Sequence, residues 1–178
     1  MAEQVFAGQA ELKPSENDYD WLDSGIYFWE QNPTRAFEFA TEVHVRRPDQ
    51  IATPAVVGAM IDLGRCLNLL DTYYLGLVVQ AYEQLAKIAR EAGQALPRNE
   101  LGPDRLLRRL DRAVVRRLHD ARAIEGEPAF DTARAAFLEG GPLYPEAGFL
   151  AKNHIQICVR NPRCIKGYFR VLGADSSP

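Results

Sequence analysis

The run Asp20-Trp21-Leu22-Asp23-Ser24-Gly25-Ile26-Tyr27-Phe28-Trp29-Glu30 constrains this chain more than any other segment. A glycine opens a short aromatic and β-branched stretch that suits a strand. Asn32-Pro33 then turns the chain, and Arg35-Ala36-Phe37-Glu38-Phe39-Ala40 carries helical spacing. Thr34 is the expected N-cap of a helix running to about Glu42. Strand alternation places Ile26 and Phe28 on the face opposite Tyr27. A strand-to-helix corner of this kind can present aromatic ring faces to a flat ligand; packing of the same rings in a core is the competing reading.

The remaining chain reads as one α+β unit. Ala55 to Leu63, between Pro54 and Gly64, is apolar enough for a buried, central strand. Asp71 starts a long helical pattern through Leu75, Val78, Tyr82 and Leu85 to Gly93, and a second helix follows Pro103-Asp104 through Leu106, Leu110, Val114 and Leu118. Phe130 to Leu138 is expected as a strand ended by Gly140-Gly141-Pro142. His154 to Arg160 and Cys164 to Val171 are expected as a hairpin around Asn161-Pro162. A short helix is expected at Ala2 to Ala7, and residues 8 to 24 read as irregular. The domain is taken as residues 1–172, with the helical segment at about 71–120 as an insertion and 173–178 as a flexible tail.

Composition limits the classes open to it. With 178 residues, 47% of them hydrophobic, the chain can bury one sizeable core. A net charge of −3 argues against a generally nucleic-acid-binding surface. Residues 1 to 17 show neither a basic start nor an apolar run, and no segment approaches the roughly 20 apolar residues of a membrane span. Cys66, Cys158 and Cys164 form no close metal-ligand pair, and His44, His119 and His154 lie far apart, so no metal is expected. A cytoplasmic location without membrane contact follows as the expectation. The arginines between 105 and 122 are interleaved with Asp104, Asp111 and Asp120, which predicts a solvated helix face.

Gly25-Ile26-Tyr27-Phe28, Glu30 and the helix start at Arg35-Ala36 resemble the tyrosine motif of the poly(ADP-ribose) polymerase-like ADP-ribosyltransferases. Val56 to Gly64 resembles the strand that follows in that family. Gln156-Ile157-Cys158-Val159-Arg160 with Cys164 to Phe169 resembles its last strand pair. The resemblance implies a split antiparallel sheet of the ADP-ribosyltransferase type, here with a two-helix insertion. It further implies NAD as substrate, Tyr27 stacked on nicotinamide, and transfer of a single ADP-ribose unit to a protein or nucleic-acid acceptor, as in a toxin or defence transferase with an antitoxin or self-association as further partners.

The family's early His-Gly-Thr strand has no counterpart in residues 1 to 24, which hold no histidine; that group either lies upstream or is missing. Gln156 stands where the resemblance puts the catalytic glutamate, and an amide cannot supply the charge that stabilises a cationic transition state. Chain-extending transfer is therefore not expected, and a catalytically silent nucleotide- or protein-binding module on the same fold is the alternative. Glu139, at the head of the Gly-Pro loop, is a candidate substitute acid or a solvated carboxylate. His154 shares a strand face with Gln156 and is a candidate proton-transfer group or a structural histidine. Ser15, Asn17, Asp18, Tyr19, Asp20 and Trp21 form a candidate lip over the nucleotide, with ordinary turn chemistry as the competing reading for Asn17 and Asp18; Gly25 is a further cofactor-binding candidate.

Overall fold

In the computed structural model, residues 1–173 are described; the expected tail beyond them, 174–178, lies outside the described residues. Twelve elements follow in order: α1 (Ala2–Phe6), β1 (Ile26–Trp29), α2 (Pro33–Arg46), β2 (Val57–Ile61), β3 (Cys66–Asn68), α3 (Thr72–Glu91), β4 (Asn99–Glu100), β5 (Leu107–Arg108), α4 (Arg109–Ile124), β6 (Thr132–Phe137), β7 (His154–Val159) and β8 (Ile165–Arg170). The architecture is α+β, with a four-stranded sheet in the order β1-β7-β6-β3 and two-stranded sheets β2-β8 and β4-β5.

Local chemistry sets the element ends. Asn32 rather than Thr34 caps α2, its side chain accepting from Arg35 N at 3.0 Å with Pro33 in the first turn. The helix also runs past Glu42 to Arg46. Asp71 caps α3 through Tyr73 N. The second long helix starts at Arg109, later than the Pro103-Asp104 signal, because Asn99 supplies its cap from outside: Asn99 Oδ1 accepts from Leu110 N and Asp111 N.

Three expectations about the sheets are corrected. The sheet is mixed, because β3 pairs parallel with β6 while β1-β7 and β6-β7 are antiparallel. Parallel neighbours need a long crossover, so the helical segment taken as an insertion is the connection between β3 and β6. Second, the apolar run at 55–63 is not central: β2 pairs with β8 alone, and Met60 is 60% exposed. Its apolar residues serve instead to cover the four-stranded sheet, Ile61 and Leu63 packing with Ile26, Ile157 and Val159.

Third, β7 and β8 form no hairpin. Arg160 N and Asn161 N both donate to Asp131 O, and Asn161 Nδ2 donates to Asp131 Oδ1 at 2.7 Å. That anchor and a 3-10 turn at Pro162–Cys164 send the chain into the other sheet.

The main core lies between the four-stranded sheet and the helices α3 and α4, which pack on each other. Leu67, Ala133, Ala135, Phe137 and Cys158 from the strands meet Ala81, Val114, Val115 and Leu118 from the helices. Among the described residues no helix is long and apolar enough to cross a membrane.

Candidate functional site

Strand register decides which side chains meet. Tyr27 lies opposite Cys158, and Trp29 opposite Gln156, on β7. On β6, Ala133 faces Cys158, Ala135 faces Gln156 and Phe137 faces His154. With a period of two, Tyr27, Trp29, Gln156, His154 and Phe137 all project to one side of the sheet, where Tyr27 and Phe137 join the core under α3 and α4 and the Trp29 ring packs on Phe39 of α2 at 5.0 Å. Ile26 and Phe28 project to the other side, where they join the second apolar cluster, as alternation requires.

The small side chains of β6 leave room on this face. A cavity of about 340 Å³ is floored by Ala135 and walled by Trp21, Leu22, Leu69, Val78 and Val114. Its volume falls within the range of small-molecule sites. Trp21 stands over Phe137 with ring centroids 3.5 Å apart, and the Arg108 guanidinium carbon lies 4.1 Å from the Trp21 ring centroid. The Trp21 indole N–H is buried without a hydrogen-bond partner. The lining is mostly apolar, with Asp111 as its one acidic residue.

Gln156 and His154 are joined directly, Nε2 to Nε2 at 3.0 Å. The tautomer follows from the other ring nitrogen. His154 Nδ1 lies 2.7 Å from Lys152 O, and a carbonyl can only accept, so Nδ1 carries the proton and Nε2 accepts from the Gln156 amide. Phe137 stacks on the imidazole at 5.0 Å and 14°. Burial pushes the His154 pKa down, opposed by the Lys152 carbonyl and the charge of Glu139.

Tyr27 is more enclosed than a residue on an open cleft floor. Its ring packs with the main core, and Oη donates to Asp23 O at 2.6 Å. Burial, then the neighbouring Cys158 and Asp20, pushes its phenol far above the ordinary value. Burial likewise pushes the Cys158 thiol up to about 12, so neither group ionises near neutral pH. Gly25 has a packing reason: a Cβ there would lie 2.8 Å from Val159 O and collide with Cys158 Sγ.

Glu139 is not a solvated strand-end carboxylate. Its side chain is only 13% exposed and lies 4.0 Å from Arg35 Nη2. Arg35 is itself buried, holds Glu42 at 3.3 Å and Glu38 at 3.5 Å, and keeps its Nε without a partner. The helix-start Arg35-Ala36 was visible in the sequence, but that its guanidinium would turn inward was not.

The proposed lip divides. Ser15 is engaged through its backbone in a bridge to Gly25, and Asn17 bonds Ser15 Oγ and Asp20 within its own turn. Tyr19 is half-buried, and Trp21 alone of this group reaches the cavity. The structure therefore brings together Tyr27, Trp21, Gln156 and His154, with Glu139 at their margin.

Sequence reasoning missed a second polar cluster. Asp23, next to Ser24-Gly25, is buried and faces Arg112, Arg116 and Arg160. The helix face expected to be solvated thus turns Arg112 inward and leaves Arg116 half-exposed at the edge of the cluster; their four-residue spacing was the readable signal that they share a face. Among the described residues no group of three or more His, Cys, Asp or Glu side chains is placed to hold a metal ion. No protein-family model, no curated protein and no solved structure matches this chain, so its site is read from its own geometry.

Proposed function

We propose that this chain binds NAD on the helix-covered face of the four-stranded sheet and transfers single ADP-ribose units to a macromolecular acceptor, protein or nucleic acid, as a toxin-like or defence-like transferase of the ADP-ribosyltransferase type. The observation that carries the reading is the convergence of Tyr27, Gln156 and His154 on one sheet face beside a cavity floored by Ala135, the register partner of Gln156.

In this reading the nicotinamide ring enters the cavity beside Trp21 and reaches Tyr27, which packs in the core behind it, and Gln156 bonds a ribose hydroxyl. The bond to nicotinamide breaks through a loose cationic state, for which positioning supplies most of the acceleration. With an amide at Gln156, turnover is slow, or is limited to NAD hydrolysis.

A second reading, a nucleotide-binding module without catalysis, is favoured by one observation: the candidate substitute acid, Glu139, lies beside the buried Arg35 guanidinium and does not line the cavity. Nicotinamide release from NAD by the parent, Gln156→Glu and Glu139→Gln proteins separates the two. The transferase reading expects release from the parent and more from Gln156→Glu; NAD binding without release from any of them selects the binding module. Loss only in Glu139→Gln moves the acid to the Gly-Pro loop. For binding itself, Tyr27→Ala is expected to weaken NAD affinity by on the order of 1 kcal/mol in calorimetry, the worth of an aromatic stack. Equal affinities, or no NAD binding by a folded parent, overturn the assignment.

A further inference from the structure

Where β1 begins and β7 ends, one buried carboxylate is outnumbered by cations. Asp23 is 4% exposed, and its backbone has φ of 65°, a left-handed conformation that costs energy in a residue other than glycine. Asp23 Oδ1 lies 3.3 Å from Arg116 Nη2 and 3.5 Å from Arg112 Nε, and Oδ2 lies 3.3 Å from Arg160 Nη1. Three guanidiniums thus share a single negative charge.

The sharing is incomplete. Only Arg160 makes a hydrogen bond to the carboxylate, while Asp23 Oδ1 and Arg112 Nε are buried without one. His119 continues the same face of α4 one turn beyond Arg116, and its Nε2 is also buried and unpartnered. Burial, and next the Arg160 charge, lowers the His119 pKa to about 4, so the ring is neutral at physiological pH and adds a polar atom but no charge. Arg116 is 52% exposed and connects the cluster to solvent.

A carboxylate offers two oxygens and one charge; a phosphate group offers three or more oxygens and up to two charges, in a geometry that guanidinium forks match in pairs. We propose that Arg112, Arg116 and Arg160 form a binding site for a phosphate group, and that the Asp23 carboxylate holds these arginines in place until the anion displaces it. The site is separate from the ring cavity: it uses the end of β7 rather than Gln156 and His154, and it requires no NAD chemistry.

The test uses inorganic phosphate, pyrophosphate and ADP as probes, with chloride and sulfate at matched ionic strength, read by thermal shift and calorimetry on the full chain. The parent is expected to melt higher with pyrophosphate than with chloride. Arg116→Gln, at a half-exposed position that leaves the core intact, is expected to bind pyrophosphate about tenfold more weakly, as loss of one charge-assisted bond implies. Asp23→Gly suits the positive φ and removes the competing charge, so it is expected to melt lower than the parent in chloride and to bind pyrophosphate several-fold more tightly, on the order of the gain from removing one like charge.

Tighter binding of ADP than of pyrophosphate assigns the site to a nucleotide; equal binding assigns it to the free anion. Absence of any shift with phosphate or pyrophosphate in the parent, or unchanged pyrophosphate affinity in Arg116→Gln, overturns the proposal. So does weaker binding by a folded Asp23→Gly.

Discussion

The two faces of the four-stranded sheet are built from alternate residues of the same strands, yet they differ in kind. Toward β2 and β8, Ile26, Ile157 and Val159 meet Ile61, Leu63, Cys164 and Ile165 in an aliphatic seal; the buried Thr132 there is satisfied by donating to Leu63 O at 2.7 Å. The opposite face is aromatic and polar, with Tyr27, Trp21, Phe137, His154 and Gln156, a cavity, and an indole donor without a partner. One face closes the sheet and the other keeps capacity unspent. Unsatisfied buried donors and retained volume cost stability, and their concentration on one side is the reason the proposed site is placed there.

The sharpest way to break this contrast is to truncate one buried aliphatic on each face. Leu67 is 0% exposed under the helices, and Val159 is 1% exposed on the sealed side. Leu67→Ala is expected to cost about 3 kcal/mol and Val159→Ala about 2 kcal/mol, from the methylenes removed and the space left. Urea denaturation measures both. A larger loss for Val159→Ala would show that the seal, and not the helix layer, holds the sheet together.

The two faces meet at Gly25. An added methyl there runs into Cys158 Sγ from the helix-covered face and approaches Val159 O, a backbone atom that cannot step aside, at 2.8 Å. Gly25→Ala is expected to destabilise by about 2 kcal/mol, the usual scale of overpacking. Adding Cys158→Ala relieves the sulfur clash alone and should recover only part of the loss. Full recovery would show that the carbonyl contact is unimportant and that the strand is free to shift.

How much of this was legible in the sequence depends on whether the deciding contacts were local. Ile26–Trp29 has the bounds that its aromatic and β-branched content indicated, and alternation correctly separated Tyr27 from Ile26 and Phe28. Asp71 and Gly93 bracket α3 because caps act within a turn. The pairing partners were not legible: the apolar run at 55–63 has the composition of a central strand, but register with β8 alone left it in a two-stranded sheet. Asp131, 30 residues from Asn161 in sequence, set the corner that replaced the expected hairpin. The same holds at the site, where Gln156 and His154 were found together by a two-residue spacing. Arg35 against Glu139, and Asp23 against Arg112, Arg116 and Arg160, join distant segments; the four-residue spacing of Arg112 and Arg116 puts those two on one face but does not name Asp23 as their partner.

The smallest expected effect concerns the charge state of the Gln156–His154 pair. In the parent the imidazole Nε2 accepts from the Gln156 amide, and burial holds the His154 pKa below its ordinary 6.5. A group with a lowered pKa in the folded state contributes stability that is present above the unfolded value and is lost as pH falls below it, because the unfolded chain takes up the proton first. His119, lowered to about 4, adds to the same acid-side loss.

Gln156→Glu should reverse the His154 contribution alone. A carboxylate facing the bare Nε2 has no proton to give, so the pair closes only when the imidazole is protonated, and the His154 pKa is expected to rise above its ordinary value. Stability from the new ion pair is then present below the unfolded pKa and disappears as pH rises through the folded one. Subtracting the parent's urea midpoint from that of Gln156→Glu across the acid-to-neutral range cancels His119, and the difference should fall with increasing pH. The same proton transfer limits what the substitution adds to catalysis, since a carboxylate neutralised by His154 stabilises a cationic transition state less than a free one; the gain in nicotinamide release should therefore grow as pH rises and His154 loses its proton. A pH-independent midpoint difference would mean that the two side chains separate in the variant, and the link between the amide and the imidazole would then play no part in setting the charge of the site.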